Sequence, residues 1–567
     1  MNYFKKSFLV LLIGIFSLPT VFPLFHTGFF EFHDNTQVVR VIEMGKSLSS
    51  GMFPVRWVED LGYGYGYPIF NFYAPLPYYS GGFFNLVGLD PLFSTKAMLA
   101  IGILLSGVTM FCFSRRFFGN VGGIVSAVIY AYFPYHAVNI YIRGAVDEFF
   151  AYAFLPLVFL GLFELLQIKK GKIFNLNNFL MTLTISTGVF LVAVSHNLSI
   201  FMLFLLLVPY FIVSLFIVNA KKNYLLVFVS SIFLGILLSS FYILPAFMEM
   251  KYTNVLSQVG GGADFKDHFV CLNQYWNSAW GFGGSVKGCL DGMSFKLGKL
   301  NILLIILTSI IFGYSLYKKK FRNQEKTVIL SLILFLITLF FTLSVSEFIW
   351  NSVPYMAYLQ YPWRFINFLG LFISFLVGYI AFRVKEWTNL KIEIVICAAV
   401  ISITIFQNHK LFVPQIYTNH TPNYYTAKNY INYTVSKISD EYMPSGFSIP
   451  KNPVDIPIND VEILKTTGIV KVLIKSPKYL KASYDIQNDG VLHVNLAYFP
   501  SWKAYVNNEN VPIVPNSNGV NISVKKGNGI LEMKFAETYV ELIGNILTII
   551  SFFALVVGII ALVQKKR

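Results

Sequence analysis

The sequence predicts a polytopic α-helical membrane protein of about twelve transmembrane helices, with a C-terminal β-rich domain outside the cytoplasm. Three observations carry this prediction. Of the 567 residues, 55% are hydrophobic and only 13% are charged, whereas soluble domains carry roughly 25% charged residues. Apolar runs of about 20 residues, each enough to span the hydrocarbon, recur along most of the chain. Basic clusters punctuate them at alternate ends, as membrane topology requires. The net charge of +16 would suggest nucleic acid in a soluble protein. Here the lysines and arginines sit in short loops between apolar runs, so topology accounts for them and no nucleic-acid partner is expected.

The chain opens with Lys5-Lys6 and an apolar run to Phe25. The run is too long for a cleaved signal, and Pro19 and Pro23 stand where a small-x-small cleavage site would be, so it reads as a retained first helix. Apolar runs then place helices near 7–25, 95–113, 121–136, 148–167, 177–194, 198–218, 224–246, 300–316, 327–345, 363–382, 391–407 and 541–563. The basic clusters are Lys5-Lys6, Arg115-Arg116, Lys169-Lys170, Lys221-Lys222, Lys318 to Lys320 with Arg322, Arg383 with Lys385, and Lys565 to Arg567. With twelve spans all of them fall on one side, which the positive-inside rule makes cytoplasmic; both termini are then inside the cytoplasmic membrane. An error of one span would scramble the alternation.

Three regions follow: a transmembrane domain over residues 1–407 with a long first outer loop 26–94, an outer domain 408–540, and a final helix with basic tail 541–567. The first outer loop is aromatic-rich and predicts short helices lying along the membrane surface. The outer domain reads as a small β-sandwich, with strands in 461–475, 491–499 and 529–535 and turns at Asn507-Asn508 and 526–529. Cys112 and Cys397 lie in apolar segments and read as packing residues. Cys271 and Cys289 share one outward loop, where a disulfide and free thiols are both compatible with the sequence. No internal repeat, phosphate-binding loop, G-x-S-x-G elbow or H-E-x-x-H zinc motif is evident.

Ionisable groups beside helix ends are the candidates for chemistry, because a charge near hydrocarbon is costly unless it has a role or a partner. Asp34, with Glu31 and His33, opens the first outer loop; its carboxylate suits proton abstraction from a hydroxyl or a share in a divalent cation. The bland alternative is a solvated carboxylate or an N-cap of the amphipathic stretch 36–48. Arg143 precedes Asp147-Glu148 at the mouth of the fourth helix, where acids also serve the helix dipole and arginine also serves as their ion-pair partner. The functional alternative sets Arg143 on phosphate, beside acids that hold metal or hydroxyl groups. His196 lies in a tight outward turn, as a ligand-binding group or a hydrogen-bonded interfacial one. Trp363-Arg364 opens the tenth helix, suited to a lipid phosphate or to simple interfacial anchoring. In the stretch 62–73, Tyr65 and Tyr67 alternate with glycines and offer faces for sugar rings, or serve as ordinary belt residues.

The order of these pieces resembles the GT-C superfamily of polytopic glycosyltransferases. More narrowly, it resembles bacterial YfhO-type proteins and those labelled 6-pyruvoyl-tetrahydropterin synthase-related membrane proteins. The matching pieces are His33-Asp34-Asn35, Gly64-Tyr65-Gly66-Tyr67-Pro68, Phe70-Asn71-Phe72-Tyr73, Arg143-Gly144 with Asp147-Glu148, Tyr361-Pro362-Trp363-Arg364, and Tyr498-Phe499-Pro500-Ser501-Trp502-Lys503-Ala504-Tyr505-Val506. The resemblance implies transfer of a sugar from a polyprenyl-phosphate carrier to an envelope glycan, lipid or protein on the outer face. It implies catalytic roles for Asp34, Asp147 and Glu148, substrate binding by His33, Arg143, His196, Tyr65, Tyr67, Trp363 and Arg364, and a divalent cation (Mg or Mn) on Asp34 and Asp147. A D-x-D pattern is absent; adjacent Asp147-Glu148 stand there instead. Two rival expectations remain: a non-catalytic envelope-assembly protein, and a carrier or flippase for lipid-linked glycan.

Overall fold

The computed structural model describes residues 3–258, 263–319 and 321–564. Some of the charge pattern (the side chains of Lys5 and Lys6, Lys320, and the tail Lys565 to Arg567) lies outside the described residues. Eleven helices among the described residues are long and apolar enough to cross a membrane. One of them, Pro91–Ala131, has 41 residues and reverses at Gly119, where φ is 79° and ψ is −178°. Ser114 Oγ donates to Ser126 Oγ at 2.7 Å, whereas twelve residues of straight helix would span about 18 Å. The element is therefore two antiparallel segments, which makes twelve candidate spans among the described residues of a multi-pass membrane protein. A Cβ at Gly119 would meet nothing within 4 Å; the left-handed backbone, not space, demands glycine there.

Burial sorts the spans. Val146–Leu165 is 89% buried and Pro362–Trp387 is 94% buried, while Leu390–Leu411 and Tyr539–Ala561 are only 22% and 17% buried. The first two form the protein core, and the last two turn most of their apolar surface outward, as a lipid-facing helix does. The central pair brings Glu148 and Arg364 together, which is how the bundle positions the site.

The first loop departs from the surface helices expected of it. The helix Gln37–Ser49 buries nine of its residues, including Arg40, Glu43 and Ser47. It packs mainly on the helix Leu76–Leu86 and then on Pro91–Ala131. On its polar face Lys46 pairs with Glu59 and Asp60, so the amphipathic pattern marks contact with protein surfaces rather than with lipid. Strand β1 (Phe29–Phe30) pairs antiparallel with β2 (Tyr417–Thr418), stitching the start of this loop to the chain beyond the eleventh span.

The C-terminal strands are β3 (Val461–Leu464), β4 (Gly468–Ser476), β5 (Tyr479–Ile486), β6 (Gly490–Val494), β7 (Trp502–Val506), β8 (Glu509–Val511), β9 (Val514–Asn516), β10 (Gly519–Val524) and β11 (Gly527–Phe535). They form two sheets, ordered β3-β6-β10-β9 and β4-β5-β11-β7-β8. The stretch 461–475 is not one strand: it breaks near Lys465 (φ 67°), and its halves join different sheets. Asn507 and Asn508, at φ 50° and 70°, make the two-residue turn between β7 and β8. The turn expected at 526–529 is instead the start of β11, whose register runs from Gly527 opposite Ile486.

Candidate functional site

A cavity of about 390 Å³ opens where the first loop, two helix mouths and the chain after the eleventh span converge. Asp34, Arg143, Asp147, Glu148, His196 and Arg364 all line it, although they come from four distant stretches of sequence. Asp34 is placed by its backbone: its N–H donates to Arg143 O at 3.2 Å and its carbonyl accepts from Thr36 N at 2.7 Å. Its side chain does not cap the Gln37–Ser49 helix, whose N-cap is Thr36. The carboxylate makes no ion pair with any described residue and stays open to the cavity. Protein crowded around the cavity walls raises its pKa above the ordinary carboxyl value, against the lowering influence of Arg143 and Arg40.

Glu148 is the opposite case. Its Oε1 accepts from Asn367 Nδ2 at 2.7 Å, Tyr135 Oη at 3.0 Å and Asn139 Nδ2 at 3.5 Å. Its Oε2 accepts from Arg143 Nη1 at 2.7 Å and lies 3.7 Å from Arg364 Nε. With no exposed surface and both oxygens occupied, Glu148 holds two guanidiniums and has no capacity left to move a proton. These contacts are those of a side chain that holds two guanidiniums in place. Arg143 is further fixed by Asn139 Oδ1 at 2.6 Å and by the Trp363 ring, 4.6 Å from the guanidinium carbon. Burial works against its charge, but Glu148 outweighs it and raises the Arg143 pKa. Arg364 donates to Leu359 O at 2.9 Å, and its Nε is buried without a hydrogen-bond partner. Two guanidiniums on one carboxylate leave a surplus positive charge facing the cavity, in surroundings that screen it poorly.

His196 accepts the Ser199 N–H at Nδ1 (3.2 Å), capping the following helix. The proton of the neutral ring is then on Nε2, 3.4 Å from Asp147 Oδ2. Burial lowers the His196 pKa, so the ring stays neutral and orients Asp147. The two carboxylates expected to share a cation, Asp34 and Asp147, both line the cavity, and no group of three or more His, Cys, Asp or Glu side chains that could hold a metal ion occurs among the described residues.

Four expected binding residues do not line the cavity. Tyr67 is fully buried and its hydroxyl pairs with Ser439 Oγ at 3.1 Å. Tyr65 is buried against Phe447, and its carbonyl accepts from Ala497 N at 3.0 Å. The glycine-tyrosine stretch is thus the platform on which the C-terminal region docks. Gly66 shows why glycine is needed: a Cβ there would lie 2.6 Å from Trp57 Nε1. His33 Nε2 pairs with Phe282 O at 2.7 Å, away from the cavity. Trp363 acts through Arg143, with its Nε1 donating to Ser285 Oγ at 3.0 Å. Ser285 belongs to the outward loop closed by the Cys271–Cys289 disulfide, which the structure forms.

Residues that sequence reasoning did not select complete the wall: Tyr73, Tyr358, Gln360, Glu441 and Tyr442. Tyr73 lay at the end of the aromatic stretch, and Arg40 stacks on its ring at 4.2 Å. Glu441 and Tyr442 come from the segment before the sheets, where nothing local in the sequence marks them. Burial pushes the Glu441 carboxyl up to about 7. A second, apolar cavity of about 620 Å³, lined by Leu76, Phe83, Phe190, Phe241 and Ile549 among others, draws residues from some of the same segments. Pro75 lines one cavity and Tyr73 the other; Val194 and His196 are divided in the same way.

Apolar helices bundled around a polar cavity at one mouth, with two C-terminal sheets, make a polytopic membrane protein with a C-terminal β domain. The oligosaccharyltransferase of Archaeoglobus fulgidus in its apo form superposes with a TM-score of 0.50 at 14% identity, covering 82% of this chain and 63% of that one. ArnT from Cupriavidus metallidurans, bound to undecaprenyl phosphate, matches at a TM-score of 0.39 and 13% identity, over 76% of this chain and 70% of that one. Residues 70–412 match the family described as 6-pyruvoyl-tetrahydropterin synthase related domain, membrane protein, and the chain belongs to that family. A Lactococcus lactis subsp. cremoris (strain MG1363) relative, described as an uncharacterized protein, is 23% identical over 347 residues. That match covers 58% of this chain, which spans about half (53%) of the relative's length.

Proposed function

We propose that this protein is a glycosyltransferase that takes a sugar from a polyprenyl-phosphate carrier and passes it to an envelope acceptor. The reaction takes place on the outer face of the cytoplasmic membrane, with both termini on the inner side. The observation that carries the reading is the cavity itself, in which an unpaired carboxylate, Asp34, shares one hollow with the paired guanidiniums of Arg143 and Arg364. The surplus positive charge suits a phosphate. The apolar cavity of about 620 Å³ suits the carrier's hydrocarbon chain.

In this reading the acceptor hydroxyl attacks the anomeric carbon while Asp34 takes the hydroxyl proton. The bond from that carbon to the phosphate oxygen breaks, its electron pair leaves with the phosphate, and Arg143 and Arg364 stabilise the added negative charge. Attack opposite the departing phosphate inverts the anomeric centre. The raised pKa of Asp34 makes it a stronger base than an ordinary carboxylate. Replacing Asp34 by Asn, with normal membrane insertion, is expected to abolish glycan transfer by the purified protein in lipid; unchanged transfer rejects the role. Lipid co-purifying with the wild type, identified by mass spectrometry, is expected to include a polyprenyl phosphate.

A further inference from the structure

The cavity has two poles, and only one of them suits phosphate. Among the described residues lining it, Arg143 and Arg364 are the guanidiniums and both lie on Glu148, whereas Asp34, Asp147 and Glu441 are carboxyl groups with no basic side chain in ion-pair contact other than the neutral His196 ring beside Asp147. Glu441 is held to this wall from both sides. The preceding residues are tied by Tyr63 Oη donating to Asp440 Oδ2 at 3.2 Å and by the Tyr67–Ser439 pair at 3.1 Å. After it, Met443 O accepts from Asn254 N at 3.0 Å. Three points fixed by two other stretches of chain leave Glu441 little freedom, so its place at the cavity is built. Beside it Tyr442 stands edge-on to Tyr73, with ring centroids 6.5 Å apart and planes at 88°. Carboxylates beside aromatic faces are the chemistry that grips a polyhydroxylated ring, oxygens on its hydroxyls and π faces on its C–H groups.

We propose that Glu441 is a positioning residue that hydrogen-bonds the hydroxyl or ammonium groups of the transferred sugar, and that this acidic pole restricts the site to sugars without negative charge. The inference rests on the transferase reading above and names its substrate class. Once a donor phosphate occupies the cationic pole, no further lysine or arginine lines the cavity among the described residues to receive a second anion. At alkaline pH, where Glu441, pushed up to about 7, is ionised, a uronic acid would face Asp34, Asp147 and Glu441 with its own carboxylate, and like charges brought together in a poorly screened site repel. An amino sugar would meet the same three groups with the complementary sign.

The test uses the full chain in lipid nanodiscs and four probes: polyprenyl phosphate alone, and polyprenyl phosphates bearing a hexose, a hexosamine with free amine, or a hexuronate. Affinities are read as ratios to the bare lipid phosphate. The wild type is expected to favour the hexosamine over the hexuronate by about tenfold or more, with the hexose between. Glu441→Gln is expected to collapse that ratio toward one, and Glu441→Asp to restore some of it, which a merely structural role would not produce. A wild type that binds hexuronate as tightly as hexosamine, or a Glu441→Gln variant that keeps the full ratio, overturns the inference and leaves the transferase reading standing. If the bare lipid phosphate itself fails to bind, the transferase reading falls and takes this one with it.

Discussion

Glu148→Gln separates a residue that holds the site from one that works in it. The substitution preserves shape but removes the charge shared by Arg143 at 2.7 Å and Arg364 at 3.7 Å. Glu148 is fully buried, and no other acid is in ion-pair contact with either guanidinium among the described residues. Asp147, next in sequence, is turned toward His196. Breaking a buried ion pair by removing one partner costs about 3–5 kcal/mol, because the other partner is left as an uncompensated charge. At about 1.4 kcal/mol per factor of ten, the folding equilibrium shifts by roughly two to four orders of magnitude. The expected result is a large drop in thermal stability in detergent. Asp34→Asn should show no such drop. A carboxyl whose folded pKa is raised adds stability only in its protonated form, at low pH, and that contribution is lost as pH rises through the folded value. At neutral pH, neutralising Asp34 therefore removes a penalty rather than a support. Stability retained in Glu148→Gln, or lost in Asp34→Asn, refutes the division of labour.

Three further outcomes follow from the same geometry. Transfer is expected to rise with pH through a range above that of ordinary carboxylates, because protonated Asp34 cannot accept the acceptor's proton; a flat pH–rate profile over acidic pH counts against Asp34 as base. Tyr67→Phe removes the bond to Ser439, so it is expected to cost about 0.5–1.5 kcal/mol of stability, as measured by melting. Gly119→Ala meets no steric neighbour yet must hold φ near 79°, so a loss of about 1–3 kcal/mol is expected in thermal unfolding, with no loss if the reversal between spans can relax.

The features of this architecture that were legible in the sequence are those written in local pattern. A span must be apolar over its whole length, and the loops beside it carry basic residues for reasons that do not depend on folding partners. The pairing of helices at Gly119 was also readable, since a polar break between two apolar runs, holding Arg115 and Arg116, has no other place to go than a membrane surface. Strand boundaries were less so. The stretch 461–475 is continuously β-like in composition, and only the left-handed turn near Lys465 decides that its halves belong to different sheets. The aromatic repeat misled for a similar reason: tyrosines that stack on sugar and tyrosines that seat a domain look alike until their partners are known. Tyr67 found Ser439, some 370 residues away, and Tyr73 found the cavity.

Which charges stay free to react was beyond the sequence altogether, because that depends on who else arrives. Asp147 and Glu148 are adjacent and chemically alike, yet helix rotation sends one to His196 and the other to two arginines. Glu441 is illegible for the converse reason. It lies in a run with no periodicity, and its character comes from the first loop and from residue 254, which clamp it at the cavity wall. That clamp has a physical consequence. The segment carrying Glu441 and Tyr442 also leads into the sheets, and the sheets are tied to the first loop and last helix through Glu541, which accepts from Asn71 at 2.8 Å and Ser501 at 3.1 Å. Loosening the docking of the C-terminal region therefore moves one wall of the cavity while leaving the guanidinium pair on Glu148 in place. The proposed sugar-selecting wall at Glu441 and the proposed phosphate-holding guanidiniums on Glu148 are thus held by different contacts.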